Sequence, residues 1–169
     1  MFAKVAIASL MMAVSSFAFA YPTLGDKVEW TGAEVKLDGT STPITVTKEV
    51  TKWDDATMMW TVKVDMTKGD QTSTKEVMTK CLWSPESWTM MKENCVMEGG
   101  TLESVTVDAG TYDSCRMNTV SDDGSVTKKW WGDVPFGLIK KEMTDVKAGT
   151  KTTVGIKTIT PGPTPAPGQ

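Results

Sequence analysis

Regularly spaced turn residues constrain the fold of this chain more than any other feature. Val, Thr, Ile and Trp, which favour strands, are frequent between the turns. Across residues 58–66, Met, Trp and Val alternate with polar side chains, which is typical of a strand with one buried face. The pattern predicts an all-β domain with a curved antiparallel sheet. The turn signals are Asp38-Gly39, Asp54-Asp55, Gly69-Asp70, Ala109-Gly110, Asp122-Asp123-Gly124, Gly132-Asp133 and Ala148-Gly149.

Nine strands and one short helix are predicted. Most links are short enough for hairpins, so consecutive strands are expected to pair as a meander in a half-open β-barrel. Ser84 followed by Pro85 is a helix start signal, and the predicted helix covers residues 85–93. Gly32 interrupts the first strand and indicates a bulge. The predicted strands are 26–36, 42–53, 57–67, 71–81, 101–108, 111–120, 125–132, 137–146 and 150–160.

The first twenty residues match a secretory signal peptide. Lys4 precedes an apolar run, and Ala18 and Ala20 are small residues at the positions that a signal peptidase reads. We therefore expect a signal peptide over 1–20, one β-rich domain over 21–160 and a disordered Pro/Gly-rich tail over 161–169. The mature protein is expected in the periplasm or outside the cell, without a membrane-spanning helix.

Charge and histidine content argue against several classes of function. The 18 basic and 21 acidic residues are interleaved, so no basic stripe is present to bind nucleic acid. Histidine is absent, which removes Ser-His-Asp and Cys-His catalysis and most zinc sites. We therefore predict no catalytic residue, no metal site and no cofactor. A weaker alternative is an enzyme that uses carboxylates at the turns, namely Asp54, Asp55, Asp122 and Asp123.

The chain has three cysteines, Cys81, Cys95 and Cys115. In an oxidising compartment at least one disulfide is expected. Cys81 ends a predicted strand and Cys95 lies in the loop that follows, so a Cys81–Cys95 bond with Cys115 as a buried thiol is the preferred interpretation. A bond from Cys115 to either of the other two is the alternative. A redox enzyme is disfavoured because the sequence has no Cys-x-x-Cys motif.

Methionine and tryptophan are unusually frequent, with 12 and 7 residues. Flexible methionines can fill a core, line an apolar pocket or bind Cu(I), although no Met-x-x-Met cluster supports copper. Trp130 and Trp131 are adjacent in a predicted strand and must point to opposite faces. One of them is therefore exposed, or is covered by a partner or by residues 82–98. An exposed tryptophan either caps a sheet edge or marks a binding site.

Three stretches together resemble a known family. They are the opening LGDKVEW (24–30), the hairpin TLESVTVDAGTYDSCRM (101–117) and the segment KKWWGDVPFGLIKKE (128–142). They resemble uncharacterised bacterial exported proteins related to the LolA/LolB-like unclosed β-barrels, which carry lipoproteins across the periplasm. The resemblance implies a strongly curved antiparallel sheet, wrapped partly around a helical segment, with an apolar concavity. This sequence has one candidate helix where the carriers have more.

The alternation, the surplus of tryptophan and the resemblance all favour an apolar ligand. We predict an exported, soluble, non-enzymatic protein that binds or carries a lipid, an acyl chain or an apolar protein segment. The alternative is a structural or interaction protein of the cell envelope, with a filled core and an edge strand that pairs with a partner. The predicted ligand-lining residues are Trp30, Met58, Trp60, Val62, Met66, Trp88, Met90 and Trp130.

Overall fold

A computed structural model describes residues 21–163 of the chain. The predicted signal peptide and residues 164–169 of the predicted tail lie outside the described residues. The described elements are β1 (Lys27–Lys36), β2 (Ser41–Asp54), β3 (Met59–Lys68), β4 (Gln71–Thr79), α1 (Pro85–Asn94), β5 (Thr101–Val107), β6 (Gly110–Val120), β7 (Val126–Gly132), β8 (Leu138–Asp145) and β9 (Thr150–Thr160).

All of these strands belong to one open antiparallel sheet. Its order is β4-β3-β2-β1-β9-β8-β7-β6-β5, so two meanders meet where the first and last strands pair. The predicted fold class, an antiparallel all-β sheet with one short helix, is confirmed. β4 and β5 are the two free edges of the sheet, because the connection between them runs through α1 instead of a hairpin.

The sheet curls strongly in its C-terminal half. β6, β7 and β8 separate β5 from β9 in the sheet, yet the backbone N–H of Ala109 donates to the carbonyl of Ile156 in β9 at 3.1 Å. Val107 lies so close to Gly155 that a Cβ at this glycine would come within 2.9 Å of the valine side chain. The β5–β6 hairpin therefore folds back onto β9.

Gly32 marks a close approach of two strands. The register shift in β1 lies between Glu29 and Trp30, so the predicted bulge at Gly32 was wrong. A Cβ at Gly32 would lie 1.8 Å from the carbonyl oxygen of Thr153 in β9. Both a bulge and a close backbone contact favour glycine, and the sequence does not distinguish them.

The main core lies where the two meanders meet. The indole N–H of Trp30 donates to the carbonyl of Leu138 at 2.8 Å, which satisfies the polar atom of this buried ring. Strands from both meanders contribute, so burial of this cluster joins the two halves of the sheet. Its buried members are Val28, Trp30, Val105, Trp130, Val134, Ile139, Val154 and Ile156.

The helix begins where the sequence predicts. The Ser84 hydroxyl accepts the backbone N–H of Ser87, and Pro85 is the first helical residue. Trp88 is buried in a second cluster that includes Cys95 and Cys115. Trp83, just before the helix, stacks on Trp131 with ring centroids 5.5 Å apart. Residues of the 82–98 segment therefore cover Trp131, while its neighbour Trp130 enters the main core.

The disulfide joins Cys95 to Cys115, with their Cα atoms 5.9 Å apart, so the preferred Cys81–Cys95 pairing was wrong. Cys95 directly follows α1, and the packing of α1 on β6 brings it against Cys115, which is buried as expected. Cys81 remains an exposed free thiol after β4. The bond spans 20 residues and contributes about 3 kcal/mol in the chain-entropy model.

The start of the described chain is tied to the end of β9. The buried Asp26 carboxylate accepts the backbone N–H groups of Thr23 at 2.6 Å and of Gly162 at 2.9 Å. Tyr21 is also buried, and its hydroxyl donates to Asp133. Gly162 belongs to the predicted tail, so the first residues of that segment contact the domain. The division into domain and disordered tail otherwise stays a prediction.

Candidate functional site

The cross-strand register of β1–β4 separates the side chains into two faces. We call the face that carries the buried residues Val28, Trp30, Val50 and Val62 the inner face, and the opposite one the outer face. Opposed residues in an antiparallel sheet share a face. Two rows of side chains on the inner face therefore cross these strands side by side. The first row is Val28, Lys48, Val64 and Lys75, and the second is Val50, Val62 and Val77.

A cavity of about 250 Å³ opens on the inner face over these two rows. Phe136, in the loop between β7 and β8, and Leu82, after β4, line it from outside the sheet. Phe136 contacts Trp30 edge to face, with ring centroids 6.2 Å apart. We call this cavity the groove. Its lining residues are Lys48, Val62, Val64, Lys75, Val77, Thr79, Leu82 and Phe136.

Lys48 is a partly buried cation at the base of the groove. Its Nζ lies 5.7 Å from the ring centroid of Trp30 and 5.7 Å from that of Phe136. Burial lowers the pKa of Lys48, and the positive charge of Lys75 lowers it further. The two aromatic faces partly stabilise the ammonium group, but they do not neutralise it.

Neither lysine of the groove has a carboxylate within 4.0 Å among residues 21–163, although Lys68 near the end of β3 pairs with Glu34 at 2.8 Å. Lys48 and Lys75 are both cross-strand neighbours of Val64. Their Cα atoms are thus separated by two strand spacings, about 10 Å. The groove combines valine walls with two uncompensated positive charges.

The predicted ligand-lining residues are dispersed. Val62 lies in the groove wall, and Trp30 and Trp130 are buried in the main core, the first of them against Phe136. Trp60 packs against Trp53, with ring centroids 4.6 Å apart and the rings tilted by 49°. The other four also lie outside the groove lining: Met58 is in the β2–β3 turn, Met66 is exposed on β3, Trp88 is the buried residue of α1 and Met90 is exposed on α1.

Sequence reasoning missed the lysines and the two residues that line the groove from loops. A signal for Lys48 was present, because it occupies the same alternation phase as Ile44, Val46 and Val50 in β2. Lys75 likewise shares a phase with Val77. Phe136 and Leu82 lie in connecting segments, and no periodicity marks them.

A second cavity, of about 240 Å³, lies between α1 and the β5–β6 hairpin. Five of its seven lining residues are polar or charged, and several of their polar atoms already bond within the protein. Glu103 accepts the indole N–H of Trp130 at 2.7 Å and pairs with Arg116 at 3.5 Å. Ser114 donates to the Glu103 carbonyl at 2.7 Å. Such a wall suits an apolar ligand less well than the groove does.

Three of the four carboxylates considered for catalysis accept hydrogen bonds within their own turns. Asp54 accepts the backbone N–H of Ala56 at 3.0 Å, and Asp55 accepts the indole N–H of Trp53 at 2.6 Å. Asp123 accepts the backbone N–H of Ser125, which lowers the pKa of its carboxyl group. The two acidic pairs lie in different hairpins, β2–β3 and β6–β7. Within residues 21–163 no group of three potential ligand side chains is placed to hold a metal ion, and no helix is long and apolar enough to cross a membrane.

No protein-family model and no curated protein match this chain. Similar solved structures include a Bacteroides fragilis protein described as exported with a YmcC-like fold (13% identity, TM-score 0.49, 85% of this chain and 99% of that chain). Others are a Parabacteroides distasonis protein described as a lipoprotein (12%, 0.46, 85% and 99%) and a LolA superfamily protein from Nitrosomonas europaea (8%, 0.27, 87% and 90%). One of these descriptions names the LolA superfamily, which stretches of this sequence also resemble. Because the identities and TM-scores are low, we infer the function from contacts within this chain.

Proposed function

We propose that this chain is an exported, non-enzymatic protein that binds or carries an apolar ligand, a lipid, an acyl chain or an apolar protein segment, in the groove. The signal-peptide pattern of residues 1–20 supports a location in the periplasm or outside the cell. The binding unit is the β-rich domain over residues 21–160, of which the groove occupies the β1–β4 half.

The observation that carries the proposal is an apolar recess that the protein's own side chains leave unfilled. Val62 is 5% exposed at its floor, whereas Val77 on the edge strand is 40% exposed. A ligand that covers such surface gains roughly 25 cal/mol for each Å² of apolar area removed from water. The main core, by contrast, holds residues such as Ile139 and Ile156 that are fully buried.

A pair of variants on the edge strand tests the site. Val77→Trp places a bulky ring in the groove, and Met78→Trp places the same ring on the outer face one residue away. Both positions are exposed, so both variants are expected to fold. We expect the neutral apolar dye N-phenyl-1-naphthylamine to bind the unmodified protein saturably, Val77→Trp to weaken this binding at least about tenfold, and Met78→Trp to leave it unchanged.

Fluorescence titration of the dye, with displacement by dodecanol, gives the three affinities. Absence of saturable binding to the unmodified protein would refute the proposal. Equal weakening by both substitutions would place the ligand outside the groove.

A second candidate is a structural or interaction protein of the envelope. The exposed free edge of β4 favours it, since a partner strand can add to such an edge. Native mass spectrometry of protein purified from its own host separates the two functions. A bound apolar mass supports the first, and one stoichiometric protein partner without lipid supports the second.

A further inference from the structure

The groove carries positive charge that no carboxylate of residues 21–163 balances within 4.0 Å, because Glu34, the acid of β1 on the same face, pairs with Lys68. On the inner face, the β3 side chains next to the two lysines are apolar, and Val64 lies directly between Lys48 and Lys75. The acidic residues next to the two lysines in sequence, Glu49 and Glu76, are on the outer face opposite Lys63. A ligand that completes this site must therefore supply negative charge as well as apolar surface.

The reach of the side chains sets where that charge lies. A lysine stem is long and flexible, and two stems rooted about 10 Å apart can converge on one small anion above Val64. Lys48 is held over Trp30 and Phe136 at 5.7 Å from each ring, so its ammonium group is already directed into the groove. Lys75 is exposed on the edge strand and is free to close over the anion.

The size of the groove limits the apolar part of the ligand. Its volume of about 250 Å³ is below the ~300–1,000 Å³ typical of sites for drug-sized molecules. One acyl chain, partly inserted, suits this space better than the two chains of a phospholipid.

Resting on the proposed function, we infer that the ligand of the groove is a long-chain carboxylate. Its carboxylate group is held between the ammonium groups of Lys48 and Lys75, and its chain lies over Val62, Val64 and Val77. The charge pairs make binding selective for the ionised head group, whereas the valine wall binds the chain of any such molecule.

Calorimetric titration of the mature chain with dodecanoate and with dodecanol, which has the same chain and no charge, tests this inference. We expect dodecanoate to bind at least about tenfold more tightly, and to lose this advantage as salt is raised. Lys48→Gln and Lys75→Gln should each lower the preference for dodecanoate over dodecanol about fivefold to tenfold. Lys63→Gln, on the outer face, is the matched control and should leave this preference unchanged.

The outcomes separate the two proposals. Equal affinities for dodecanoate and dodecanol, or equal effects of Lys75→Gln and Lys63→Gln, would overturn the carboxylate inference and leave an apolar groove. Failure of both molecules to bind would overturn the proposed function itself. Since Lys75 is exposed, its variant keeps the test decisive even if Lys48→Gln does not fold. Binding of diacyl phospholipid vesicles without any response to dodecanoate would also refute the inference.

Discussion

Two rows of side chains cross the same four strands one residue apart, on opposite faces of the sheet. Across the outer row the charges alternate in sign, so each lysine faces glutamates on the neighbouring strands. Across the inner row two lysines alternate with two valines and no acid is present. The outer row is Lys27, Glu49, Lys63 and Glu76, and the inner row is Val28, Lys48, Val64 and Lys75.

The same residue type is therefore in opposite environments on neighbouring strands. Lys63 bonds to Asp65 at 2.9 Å, and this contact raises the pKa of its ammonium group. Burial instead lowers the pKa of Lys48, with Lys75 adding to the effect. Paired surface charges of the outer kind add little to stability. The unpaired, partly buried charge of Lys48 destabilises the free protein, and such a cost is typical of a binding site.

The largest expected effect is the loss of stability when a packed side chain of the inner face is removed. Trp30→Ala removes a buried ring that contacts Phe136 and underlies Lys48, so we expect the free energy of unfolding to fall by about 3–5 kcal/mol. Thr31→Ala, the next residue on the outer face, should change it by less than about 0.5 kcal/mol. Urea unfolding of both variants measures the difference. Similar losses in the two variants would mean that the faces are not distinct in packing.

Local patterns predicted the strands well because each strand has alternation of its own. The last strand was predicted over 150–160 and observed over Thr150–Thr160. The start of β3 was predicted two residues early, since Met58 continues the alternation but has a φ of 53° in the turn. Periodicity reports which side chains share a face and not where the backbone leaves the sheet.

Non-local contacts explain what the sequence did not predict. The partner of Cys95 depends on how α1 packs against β6, and no spacing along the chain encodes that packing. The groove depends on Phe136, which reaches the β1–β4 half from a loop on the other half of the sheet. Lysines at apolar phases of β2 and β4 were the visible signs of the site, but in an alternating pattern such residues are read as interruptions.

A smaller effect is expected from removing each lysine charge. Lys48→Met removes an unpaired, partly buried cation and keeps a flexible apolar stem, so we expect the unliganded protein to become more stable. A gain of about 1 kcal/mol would raise the midpoint of thermal unfolding by about 2–4 °C. Lys63→Met loses the contact with Asp65 and should be neutral or slightly destabilised. Calorimetry of both variants without ligand checks the signs, and a loss of stability in Lys48→Met would show that its ammonium group already has a favourable partner.

The smallest effect is the pH dependence, which should have opposite signs for the two lysines. Lys48 has a folded pKa below its ordinary value of 10.5, so between those two values the unfolded chain binds more protons at this site and stability rises with pH. Lys63 has a folded pKa above 10.5, so its stabilising contribution is fully present below pH 10.5 and is lost as pH rises through the folded pKa.

Urea unfolding from about pH 8 to about pH 11, comparing the unmodified protein with Lys48→Met and with Lys63→Met, isolates the contribution of each lysine because all other titrations are shared. The stability difference from Lys48→Met should shrink with rising pH, and the smaller difference from Lys63→Met should fade only at the alkaline end. In terms of free energy, the gain from Lys48→Met falls with pH while the loss from Lys63→Met is relieved. If Lys48→Met instead caused a loss that faded with rising pH, as Lys63→Met does, the inner and outer lysines would share one electrostatic environment, and the groove would lack the unbalanced charge on which anion binding depends.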